Sequence, residues 1–174
     1  SKSTVSELCK ALDDIVCEFR DRPIEKSYPF LMTDATYFKV RSDHRITTRA
    51  LMIAMGMTEE GIKEIIGFRV CDNESKATWL SFYESLKKRG LQSPKMIISD
   101  AHQGEKAAIG IVYPGSPWQR CQVHFRKNIT DRIQKKYVAG ISSELTEMFN
   151  AKTIDEARRI RDHILTDYYD AAPE

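Results

Sequence analysis

The chain has 174 residues, 41% of them hydrophobic and 30% charged, with a net charge of only +2. That length suits one sizeable core with a helical extension, and the composition excludes low-complexity and repeat architectures; so small a charge announces no nucleic-acid binder by itself. No apolar run approaches membrane-spanning length, Ser1-Lys2-Ser3-Thr4 offers no signal-peptide hydrophobic region, and the scattered Cys9, Cys17, Cys71 and Cys121 point to a reducing, intracellular setting.

Apolar residues at Val5, Leu8, Leu12, Ile15, Val16 and Phe19 follow the helical period, and that helix ends near Pro23. Three strands are expected over about 30–40, 47–55 and 62–71. Their short polar or Gly-containing connectors suit antiparallel hairpins, the first with a basic tip of Arg41, His44 and Arg45. Asp72 to Ser75 offer caps for a helix carrying Trp79, Leu80, Tyr83 and Leu86, with Lys87, Lys88 and Arg89 before a Gly90 stop. A strand over 95–99 runs through Asp100 into a helix over 105–112, and a short strand near Trp118–Cys121 passes into a basic helix from about Val123. Residues 138–172 read as further helix, with Ile141, Leu145, Met148 and Phe149 on one stripe and Ile154, Ala157, Ile160, Ile164 and Leu165 on another. This order predicts an α/β fold: a mixed sheet of about five strands, three antiparallel and then parallel strands joined through helices, with helices flanking it. Trp79 and Trp118 are expected in the core.

Asp34 and Asp100 occupy matching settings 66 positions apart, one inside the run 30–38 and the other at the end of 95–100. A carboxylate within a buried strand costs several kcal/mol unless a cation, a proton or an Arg compensates it. Two on neighbouring strands suit a hard divalent ion that keeps waters and binds phosphates. The plainer alternatives are a salt-bridged Asp34 and an Asp100 that caps the next helix. Cys121, His124 and Asn128 share one face of the basic helix, while Phe125, Ile129 and Ile133 form an apolar stripe; the polar face suits DNA contact, the outer shell of a metal, or a buried Cys with a hydrogen-bonded His. One Cys and one His are too few for structural zinc. His102 reads as an outer-shell residue or as part of a turn. Arg120, Arg126, Lys127, Arg132, Lys135 and Lys136, against the single acid Asp131, form a basic segment that suits phosphates or is a solvated helix face.

The segments 34–41 (DATYFKVR), 98–104 (ISDAHQG) and 118–125 (WQRCQVHF), in that order, resemble the Mutator-like insertion-sequence transposases of bacteria. The resemblance implies an RNase H-like core, a DDE site using Mg²⁺ with Mn²⁺ as a substitute, and cutting and joining of transposon-end and target DNA by an enzyme that is oligomeric at full length and works in the cytoplasm on the nucleoid. Asp34 and Asp100 match the first two acids, and Cys121 and His124 match the family's Cys-x-x-His signature. It further implies a linker helix from a DNA-binding region over 1–22, the incomplete catalytic core over 23–137 and the start of a helical insertion over 138–174. None of Glu144, Glu147, Glu156 or Glu174 has the context of the third acid, so these residues alone are expected to hold metal weakly and to catalyse poorly. The competing readings are a standalone RNase H-like nuclease whose third acid is Glu144 or Glu147, and a non-catalytic DNA-binding or assembly module.

Overall fold

The computed structural model describes residues 2–42 and 45–171, so His44 and Glu174, and the side chains of Val5 and Leu8, lie outside the described set. The chain divides into two compact units, residues 1–120 and 121–174.

The first unit holds the sheet. After α1 (Lys2–Asp21) come β1 (Phe30–Ser42), β2 (Arg45–Met57) and β3 (Lys63–Cys71), then α2 (Lys76–Lys88), β4 (Met96–Ser99), α3 (Gln103–Val112) and β5 (Trp118–Arg120). The strand order is β3-β2-β1-β4-β5: β1, β2 and β3 pair antiparallel, and β4 joins both β1 and β5 in parallel. That mixed sheet is the RNase H-like arrangement which the resemblance implies. Alternation along β2 buries Ala50, Met52 and Ala54 and leaves Leu51, Ile53, Met55 and Met57 half-buried on the other face.

Trp79, Phe82, Tyr83 and Leu86 of α2 and Ala108, Ile109 and Val112 of α3 pack with Leu31, Met52, Ala54, Ile66 and Ile97 of the sheet. Residues at i, i+3, i+4 and i+7 put each helix's apolar side on that core. A capping box starts α2, Ser75 accepting from the Thr78 amide and Thr78 from the Ser75 amide. Gly90 stops it at φ +112°, where a β-carbon would lie 2.7 Å from the Ile24 carbonyl oxygen. Along α1 the helical period holds, but Leu12, Ile15 and Val16 are exposed; its last turn packs through Phe19, stacked 6.0 Å from Phe68 of β3.

The second unit comprises α4 (Gln122–Thr130), a 3-10 turn (Lys135–Tyr137), α5 (Val138–Asn150) and α6 (Ile154–Asp167) around Ile133, Ile141, Leu145 and Ile164. Phe125 and Ile129 of α4 pack into this cluster, so α4 belongs to the second compact unit. On α6 the expected stripe is narrower than predicted. Ile160 and Ile164 join the core, but Ile154 and Leu165 stay exposed, because they lie at the edges of the helix face that meets α5.

Candidate active site

The parallel pairing of β1 and β4 matches Phe30 with Met96, Leu31 with Ile97 and Met32 with Ile98. Continuing that offset sets Thr33 level with Ser99 and Asp34 level with Asp100. Because side chains alternate along a strand, Leu31 and Thr33 of β1 and Ile97 and Ser99 of β4 turn to the buried face under the helices, while Asp34 is exposed and Asp100 half-buried. The two acids therefore start from backbones about one inter-strand spacing, about 4.8 Å, apart.

Each carboxylate closes onto the next amide: Ala35 N–H donates to Asp34 Oδ1 at 2.9 Å and Ala101 N–H to Asp100 Oδ1 at 2.6 Å. The expectation of buried charge needs correction, since Asp34 is exposed and Asp100 only half-buried. The capping alternative for Asp100 is removed: the N-cap of α3 is His102, whose Nδ1 accepts from the Glu105 amide at 3.3 Å.

Directly behind the aspartates lies a polar cluster that the sequence reading missed. Glu105 Oε1 accepts from the Thr33 hydroxyl at 2.7 Å and from the Tyr83 hydroxyl at 2.9 Å, and those two hydroxyls are 2.8 Å apart. The Ser99 hydroxyl accepts from Trp118 Nε1 and donates to the carbonyl of Asp100, both at 2.9 Å. Glu105 is only 1% exposed, and this burial, against the opposing pull of the hydroxyls, pushes its carboxyl up to about 7. A signal was present in the sequence: Glu105 shares the period of Ala108, Ile109 and Val112, the buried stripe of α3.

Cys121, at the N-cap of α4, and His124 on its first turn are both half-buried members of the second unit. Of the basic candidates, Arg120 ends β5 in the first unit. In the second, half-buried Arg126 donates to the Ser142 carbonyl and the Thr146 hydroxyl, which ties it to α5. Lys127 pairs with Asp131 at 2.5 Å, Lys136 sits 4.6 Å over the Tyr137 ring, and Arg132 and Lys135 are exposed. Among the described residues no group of three or more His, Cys, Asp or Glu side chains is arranged to hold a metal ion. Nor is any described helix long and apolar enough to cross a membrane.

Residues 1–174 match the family described as "Transposase, Mutator family". The chain belongs to that family. It is 43% identical over 171 residues to the Staphylococcus aureus transposase for insertion sequence element IS256 in transposon Tn4001, covering 98% of this chain and 44% of that protein. It is also 36% identical over 174 residues to the Mycobacterium tuberculosis transposase for insertion sequence element IS1081, covering 99% of this chain and 42% of that one. This Mutator-family chain thus spans less than half the length of the curated relatives it matches. Among solved structures, the HTLV-2 integrase catalytic core domain in complex with magnesium matches 83% of this chain and 87% of its own at 12% identity, with a TM-score of 0.35.

Proposed function

We propose that this chain is the larger part of the DDE catalytic core of a DNA transposase, which cleaves and joins transposon ends, and that Asp34 and Asp100 are its first two acids. The single observation that supports this reading is the parallel register of β1 and β4, which pairs Met32 with Ile98 two residues before each aspartate. Their donor set fits Mg²⁺ or Mn²⁺, because two carboxylates at a solvent-accessible strand end give hard oxygens and leave room for water and phosphate. When bound, such an ion supplies charge neutralisation at the reacting phosphodiester. Asp34 and Asp100 hold and orient it, and a third carboxylate of the parent protein completes the set, so residues 1–174 by themselves bind metal weakly and turn over poorly.

The exposed Arg132 and Lys135, with Arg120, Lys127 and Lys136, contact DNA phosphates in this reading, whereas Arg126 supports the helical unit. The parent enzyme works as an oligomer on bacterial nucleoid DNA, two ends at a time.

Asp34→Asn and Asp100→Asn in a transposase containing this chain test the assignment. Each should lower Mg²⁺-dependent strand cleavage by about a hundredfold or more while transposon-end binding is retained. Cleavage at the parental rate by either variant would reject it.

A further inference from the structure

Glu105 is a fully buried carboxyl for which the proposed chemistry has no use, and its position is specific. Thr33 and Ser99 form the row of the sheet immediately behind Asp34 and Asp100, one from β1 and one from β4. The Glu105 carboxyl accepts from the Thr33 hydroxyl at 2.7 Å, with Tyr83 of α2 closing the cluster at 2.9 Å. The groups acting on Glu105 are hydroxyls and a second carboxylate, Glu74, so its burial lacks the usual compensation by a cation. An apolar residue would fill the same space at lower cost, and hydrophobic replacement of buried ionisable groups is often neutral or stabilising.

The placement of Glu105 is itself enforced. His102 caps α3 on the Glu105 amide, and a β-carbon at Gly104 would lie 2.9 Å from the backbone nitrogen of Lys76. The N-terminus of α3 is thus seated against that of α2, which brings Glu105 and Tyr83 to the same point under the sheet.

We infer that Glu105 is a positioning residue: its carboxyl, braced by Tyr83, holds Thr33 from the reverse face of the sheet and thereby fixes the placement of the adjacent Asp34 carboxylate for a divalent cation. This rests on the reading that Asp34 and Asp100 bind such an ion. Hydrogen bonds one layer behind metal ligands commonly tune affinity by about ten- to a hundredfold when removed. Here the connection runs through the backbone of β1, because Thr33 is the chain neighbour of Asp34.

The test titrates Mn²⁺ into the 174-residue chain, following water-proton relaxation, with thermal unfolding measured in parallel on each variant. Glu105→Leu, which fills the space without an acceptor, should weaken Mn²⁺ binding about tenfold or more, and Glu105→Gln, which keeps an acceptor for Thr33 and Tyr83, should restore it to within about threefold of the parent. Tyr83→Phe, which preserves ring packing, should weaken binding in the same direction and carries the test if Glu105→Leu does not fold. A purely structural role would move the unfolding temperature and leave the affinity of the folded chain unchanged; parental affinity in Glu105→Leu and Tyr83→Phe overturns the inference alone. Mn²⁺ binding that Asp34→Asn leaves intact overturns both the metal assignment and the inference built on it.

Discussion

At Glu105 the desolvation that raises the carboxyl from the usual 4.5 to about 7 makes a stability prediction of definite sign. Below the unfolded value both states hold the proton, and burial carries no charge penalty. As pH rises from 4.5 to about 7 the unfolded chain releases its proton while the folded chain must retain it or bury a charge, so folding stability falls across that window. The shift corresponds to a loss on the order of 3 kcal/mol. Glu105→Gln removes the titration. In urea unfolding followed between pH 4 and 8, the variant should gain on the parent by that order as pH rises, with the difference levelling above pH 7; a pH-independent difference would contradict the assignment. The carboxylates facing solvent were legible as individual residues because an Asp in an apolar run stands out. Glu105 was not, because a lone Glu on an amphipathic helix reads as part of the solvated side until the sheet is seen above it.

The elements were legible where local chemistry sets them. Ser75 and Thr78 form a reciprocal cap, Gly90 ends α2, and the β1–β2–β3 meander follows its polar connectors. Ser75→Ala should accordingly cost about 1 kcal/mol of stability by losing an acceptor for the Thr78 amide, measured by chemical denaturation. Gly104→Ala is a sharper case. Its β-carbon would meet backbone rather than a movable side chain, so the N-termini of α2 and α3 must part, at a cost of about 1–3 kcal/mol. In thermal unfolding the Gly104→Ala transition should fall by several degrees, whereas Gly110→Ala, with open space around the new methyl, should not fall at all. Register is the element-scale property on which the site depends. A one-residue slip of β4 against β1 would turn Ser99 outward, and the buried pair Leu31–Ile97 opposes it.

For the molecule as a whole, the second unit has its own hydrophobic cluster centred on Ile133, Ile141, Leu145 and Ile164. Leu145→Ala should destabilise that unit by about 2–5 kcal/mol, read as an earlier loss of helical circular dichroism; an unchanged transition would mean that this cluster contributes little. Both tryptophans lie in the first unit, which gives that unit its own fluorescence signal. By itself the sequence determined the order of strands and helices, the mixed α/β class, the motif-bearing segments and the two acids, because periodicity, caps and turns act over a few residues. Only the tertiary structure decided what depends on distant residues meeting: the parallel register of β1 and β4, the exposure of Asp34, the commitment of Arg126 to α5, and the convergence of Thr33, Tyr83 and Glu105. The physical reason is that burial and hydrogen-bond partnership belong to pairs of elements, and no window of sequence contains both members of such a pair.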